Sequence, residues 1–80
     1  MARVTLYTRA GCHLCEDARC EIEAARRRVA FELEELDIDA DPELQRLYNE
    51  EVPVIAIDGR KAFKYRVAAE ELVRKLAARA

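Results

Sequence analysis

A change of hydrophobic period constrains this chain more than any other feature. Residues Val4 to Thr8 are β-branched and aromatic, apolar on both faces, and read as a buried strand. From about Cys12 to Val29 the period turns helical. Leu14, Ala18, Ile22, Ala25 and Val29 recur at steps of four, four, three and four, which is one face of an α-helix. Phe31 to Ile38 then reads as a second strand, its alternation slipping a phase at Glu34-Glu35, as a bulge or a sheet-edge position would allow. Strand, helix and strand in that order make a βαβ unit, whose two strands lie parallel and are joined by a right-handed crossover.

The second half is read from its punctuation. With only two glycines and two prolines in the chain, each one marks something. Asp41-Pro42 suits an N-cap followed by proline at the first helical position, opening a short helix to about Asn49. Val54-Ile55-Ala56-Ile57 is wholly apolar and predicts a central strand. Asp58-Gly59 is a strong hairpin signal. After it, Arg60 to Val67 returns as a charged strand whose Lys and Arg residues guard an exposed edge. Ala69, Leu72, Val73 and Leu76 define a last helix. The hairpin makes the last two strands antiparallel, so the expected fold is α/β: a four-stranded mixed sheet flanked by three helices. No linker, repeat or low-complexity tract interrupts it, and residues 1–80 are expected to form a single domain.

Charge narrows the function classes. Charged residues make up 38% of the chain, but 14 basic and 16 acidic side chains nearly cancel, leaving a net charge of −2. That balance provides no footprint for nucleic acid or an anionic membrane, and neither is expected as a partner. No apolar run approaches the ~20 residues that span a bilayer. The N-terminal residues lead straight into the first strand rather than into the apolar core of a signal peptide. A cytoplasmic location is expected, where thiols are kept reduced. Three cysteines spaced C-x-x-C-x-x-x-x-C then form a redox or metal pattern rather than a disulfide framework.

The strand-to-helix junction carries that chemistry. Cys12 lies at the helix start, where unpaired N–H groups and the macrodipole favour an anion, and the thiolate is the reactive form. Arg9 adds a cation just before it, while Glu16 and Asp17 in the first turn act against the thiolate. Cys15, one turn further on, lies at the border of the apolar face, where desolvation and neighbouring carboxylates disfavour its ionisation. Attack therefore falls to Cys12 and resolution to Cys15. His13 is read as a solvent-facing ring that tunes the pair. Cys20 falls on the far side of the helix, its Cα roughly 8–9 Å from that of Cys15 and about 12 Å from that of Cys12. Both exceed the ~7 Å reach of a disulfide, so Cys20 reads as an exposed surface thiol. A tetrahedral zinc shared by all three cysteines is disfavoured by the same spacing, and no metal ligand is assigned. Two alternatives stay open: a redox-inactive binding module, and Zn or Fe–S binding through the C-x-x-C. Lys64 and Arg66 are expected to share a strand face within the basic stripe that begins at Arg60.

Three features together resemble the thioredoxin superfamily. Tyr7 through Cys15 place C-x-x-C at the strand-to-helix junction, Val52-Pro53 stands directly before the central strand, and Ile57-Asp58-Gly59 matches the hairpin that follows. Over essentially its whole length the chain is similar to minimal bacterial glutaredoxin-like proteins. The resemblance implies a thioredoxin/glutaredoxin-like sheet of strand order 2-1-3-4, with the third strand antiparallel to the first and helices on both faces. It implies a cis Val52–Pro53 bond that turns the Val52 backbone toward the cysteines, to pair with an extended substrate. It also implies an enzyme, a thiol–disulfide oxidoreductase acting on a disulfide-containing protein or a small thiol. Arg9, His13, Val52 and Pro53 would then surround the substrate; a monomer is expected. Typical glutaredoxins carry a Gly-Gly pair and an acidic residue before the last helix, whereas Phe63-Lys64-Tyr65-Arg66-Val67-Ala68 has neither. Glu51 replaces the threonine common before Val-Pro, and His13-Leu14 stands where relatives usually show a proline. No cofactor is expected, and glutathione is expected to serve poorly as the reductant.

Overall fold

The chain alternates strand and helix as its periods require. A computed structural model describes residues 1–78; residues 79 and 80, the end of the expected 1–80 domain, lie outside the described residues. The elements are β1 (Arg3–Thr8), α1 (His13–Arg26), β2 (Glu32–Asp37), α2 (Pro42–Tyr48), β3 (Val54–Ile57), β4 (Arg60–Lys64) and α3 (Ala69–Ala78). A 3₁₀ turn at Ile38–Ala40 joins β2 to α2. The strands lie in the order β2-β1-β3-β4, with β1 and β2 parallel and β3 antiparallel to both its neighbours. This is the expected thioredoxin-like sheet.

Alternation along the strands decides what is buried. Val4 and Leu6 of β1, with Ile55 and Ile57 of β3, face Ala18, Ile22 and Ala25 of α1 and Leu72 of α3. All of these are sealed from solvent, and each large aliphatic side chain so buried contributes about 1.5–3 kcal/mol. The opposite sheet face carries Thr5, Tyr7, Val54 and Ala56, and there the Tyr7 ring lies against Tyr48 of α2 with centroids 4.6 Å apart. Helices thus pack on both faces, α1 and α3 on one and α2 at the Tyr7 end of the other.

Local signals set most of the boundaries. Asp41 caps α2 through its carboxylate, which accepts the Glu43 N–H at 2.9 Å, and Pro42 takes the first helical position. Asp58 and Gly59 have φ of 50° and 86°, the paired positive angles of a two-residue hairpin turn. The phase slip in β2 comes from its place at the sheet edge, since its register against β1 runs without a shift. Glu35 meets Arg19 of α1, and the Thr5 hydroxyl donates to Glu34 at 3.4 Å.

Two expected boundaries move. Helix α1 stops at Arg26 rather than Val29, because the chain must turn back for Phe31 to enter the core; the Val29 N–H still reaches the Ala25 carbonyl at 3.0 Å. Strand β4 stops at Lys64 rather than Val67. Its partner β3 is preceded by Pro53, which has no N–H to extend the ladder, so only the Pro53 carbonyl takes part, accepting the Tyr65 N–H at 2.8 Å. Tyr65 then adopts φ 70° and the Arg66 N–H turns back to the Lys64 carbonyl at 2.8 Å. Lys64 and Arg66 therefore do not share a strand face. Ala62 is instead an extra residue in β4, and this bulge brings Lys61 and Lys64 opposite Ala56 and Val54 on one face.

Helix α3 has no capping side chain of its own, because Ala68 precedes it. Glu21 of α1 supplies the acceptor instead, taking the Ala69 N–H at 2.8 Å. That contact ties the two helices of the buried face together at one end.

Candidate active site

Strand β1 ends at Thr8, and Arg9-Ala10-Gly11 turns the chain into α1. Gly11 has φ 76°, and a side chain there would meet nothing within 4 Å, so the glycine answers to the backbone angle and not to crowding. Cys12 follows as the N-cap of α1, extended at φ −95° and ψ 108°. Its sulfur accepts the Cys15 N–H at 3.1 Å, one of the helix's unpaired first-turn donors. A serine or aspartate oxygen usually fills this role; here a sulfur does, and a thiolate would accept the bond more strongly than a thiol.

The two cysteines lie at disulfide distance, with Cα atoms 5.2 Å apart. Cys12 is partly exposed, whereas Cys15 is 1% exposed and packs at the head of the buried stripe of α1. That asymmetry decides which sulfur a large partner can touch. Cys20 is free and exposed, away from the pair as its helical position requires. Among the described residues no three His, Cys, Asp or Glu side chains cluster in a way that could hold a metal ion.

His13 is exposed at the first position of the helix. Arg9 is differently placed from the free cation that its position suggests. Its Nε donates to Asp39 Oδ2 at 3.2 Å, its Nη2 to Asp39 Oδ1 at 2.6 Å, and its Nη1 to the Asn49 carbonyl at 2.9 Å. The bond from Arg9 holds the Asp39 carboxyl below the usual range, and Asp39 in turn raises the guanidinium. Most of the local field of Arg9 is therefore compensated by Asp39 rather than available to Cys12.

Val52-Pro53 joins α2 to β3 through a cis peptide bond, with Pro53 fully buried. The segment leading to it is tied at several points. Arg9 holds Asn49, the Glu51 N–H reaches the Tyr48 carbonyl at 3.0 Å, and Lys61 Nζ meets Glu51 Oε1 at 2.7 Å. Hydrogen bonding to Lys61 lowers the Glu51 carboxyl. Between α1 and the chain leading into α3 runs a groove of about 410 Å³, walled by Leu14, Asp17 and Glu21 on one side and Tyr65, Arg66 and Glu71 on the other.

Asp39, Asn49, Glu21 and Tyr65 are the participants that the sequence reading did not single out in these roles. Asp39 and Asn49 lie 30 and 40 residues from Arg9, and no local pattern joins them to it.

Comparison with known proteins places the chain. Protein Ne2328 from Nitrosomonas europaea is 30% identical, with 92% of this chain and 89% of that one covered at a TM-score of 0.79. Protein XcR50 from X. campestris is 36% identical, covering 94% and 96% at a TM-score of 0.72. Chloroplastic thioredoxin z, at 15% identity, shares the fold alone: 98% of this chain and 77% of that one superpose at a TM-score of 0.81. No protein of curated function matches the sequence. The model of the glutaredoxin-like domain (DUF836) matches residues 3–77, and the chain belongs to that family.

Proposed function

We propose that the protein is a thiol–disulfide oxidoreductase in which Cys12 attacks and Cys15 resolves. The observation that carries this reading is the partly exposed Cys12 sulfur receiving the Cys15 N–H at the start of α1, with Cys15 buried behind it. Cys12 as thiolate attacks one sulfur of a partner disulfide and expels the other as a thiolate, forming a mixed disulfide. Cys15 gives up its proton and attacks the Cys12 sulfur, which releases the partner's second thiol. The partner has gained two electrons, and Cys12–Cys15 is oxidised.

Several features support a substrate laid beside the pair. His13 stands exposed next to Cys12, and the backbone of Val52 ahead of Pro53 offers an N–H and a carbonyl to an extended chain. The substrate class proposed is a disulfide-bearing protein or small thiol, and the absence of a Gly-Gly pair before α3 counts against efficient use of glutathione. A dithiol without an accompanying disulfide framework suits a reducing compartment such as the cytoplasm.

The test is alkylation of the reduced protein by iodoacetamide across pH, with the modified cysteine located by peptide mapping. Cys12 is expected to react first and to titrate below a free thiol; Cys15→Ser should trap a stable mixed disulfide, and Cys12→Ser should abolish exchange. Alkylation of Cys15 first at neutral pH would reverse the roles. No exchange by the wild type with any disulfide, and no titration in a glutathione redox buffer, would remove the reading.

A further inference from the structure

We propose that Arg9 is a positioning residue, which fixes the segment from Asn49 to Pro53 against the Cys12 turn instead of serving as a cation for the thiolate. The inference rests on the redox reading only for its catalytic consequence; the positioning itself stands on geometry. Arg9 sits three residues before Cys12, in the turn that Gly11 completes. Its planar fork spans the carboxylate of Asp39 with two bonds, and its remaining terminal nitrogen reaches the Asn49 carbonyl at 2.9 Å. Asp39 is itself fixed, because its second role is to accept from Gln45 Nε2 of α2 at 3.0 Å and its backbone N–H is held by Asp37 at 2.9 Å. One side chain therefore joins the end of β1, the 3₁₀ turn and the C-terminus of α2.

The Asn49 bond matters most. Asn49 is the C-cap of the seven-residue α2, where helix carbonyls lack internal partners. Four residues later the chain reaches Pro53, so a support at Asn49 sets where the Glu50–Val52 backbone begins. Lys61 holds the same segment from its other side through Glu51. Lysine cannot replace Arg9 in this arrangement, since a single ammonium cannot span Asp39 with a fork and also reach a carbonyl on its far side. A charge role predicts the opposite: lysine would serve, and freeing Arg9 from Asp39 would strengthen its action on Cys12.

The experiment compares wild type with Arg9→Lys, Arg9→Gln and Asp39→Asn by amide hydrogen exchange, Cys12 alkylation against pH, and steady-state reduction of a disulfide-linked peptide pair. Unchanged exchange at Ile22 shows that a variant is folded. Positioning predicts that both Arg9 variants speed exchange of the Glu51 N–H by about tenfold, with Asp39→Asn intermediate. It also predicts that KM rises several-fold in Arg9→Lys and Arg9→Gln alike while the pH midpoint of Cys12 alkylation stays put. Unaltered Glu51 exchange in every variant would overturn the proposal, as would an Arg9→Lys protein indistinguishable from wild type beside an Arg9→Gln protein whose Cys12 midpoint rises. If the wild type reduces no disulfide, the redox reading fails alone, and the exchange data still decide whether Arg9 positions the segment.

Discussion

Under α1 and α3 the sheet is held by Val4, Leu6, Ile55 and Ile57 packed on Ala18, Ile22, Ala25 and Leu72. At the rim beside Cys12 the chain is held differently: Arg9 to Asp39 and Asn49, Lys61 to Glu51, and the Tyr65 N–H to Pro53. The first region is fastened by removing apolar surface from water, which responds little to pH or salt. The second is fastened chiefly by exposed charged groups, which respond to both. The proposed redox pair lies across this division. Cys15 is buried among packed side chains, while the segment proposed to receive a substrate is held by the charged ties of the rim.

The sharpest way to break that comparison is to damage the buried face. Ile22→Ala should destabilise the protein by about 2–5 kcal/mol, read as a lower midpoint in urea unfolding, because it removes buried methyl groups and leaves a cavity. The alkylation profile of Cys12 in the folded variant should not change. A cost well under 1 kcal/mol would mean that the face is not the close-packed region its burial implies.

A smaller effect is expected where the two modes of fastening meet. Glu21 leaves α1 to accept the Ala69 N–H at the start of α3. Glu21→Ala should cost about 0.5–2 kcal/mol, as loss of a helix cap does, and Glu21→Gln should recover most of it because an acceptor oxygen remains. Equal losses in both variants would show that the charge of Glu21, not its hydrogen bond, supports α3.

The contrast also explains what could be read from the sequence. Burial writes itself as period, so the stripe through Ala18, Ile22 and Ala25 and the all-apolar β3 followed from residue type, whereas the strand order came from the family resemblance. The Cys12–Cys15 spacing is local, and so is the Asp41-Pro42 start of α2. The ties at the rim are not local. Arg9 has 16 acidic residues to choose from, and nothing along the chain marks Asp39 as the partner. The early end of β4 was equally hidden, since it follows from Pro53 standing in the neighbouring strand's approach, a fact of register. Ala68 before α3 announces a missing cap, but only the packing of α1 against α3 reveals Glu21 as its substitute.

The smallest predicted effect tests the charged rim directly through pH. Asp39 is lowered chiefly by its hydrogen bond from Arg9, and Glu51 chiefly by that from Lys61. A carboxyl whose folded-state pKa is depressed contributes stability above its unfolded-state pKa, and that contribution is lost as pH falls through the folded value. Both pairs are exposed to solvent, so the change in global stability should be slight and should shrink further with added salt. The local signature should be clear all the same. On acidification below the ordinary carboxylate range, the protection of the Glu51 N–H relative to intrinsic exchange should fall while that of Ile22 is kept. Carboxyl-carbon NMR titration should place Asp39 below an unperturbed aspartate in the wild type and return it toward that value in Arg9→Gln, leaving Glu51 where it was. If Asp39 titrates identically with and without Arg9, the pair does not hold the rim in solution. The rim would then rest on the Lys61–Glu51 pair and the Tyr65–Pro53 bond.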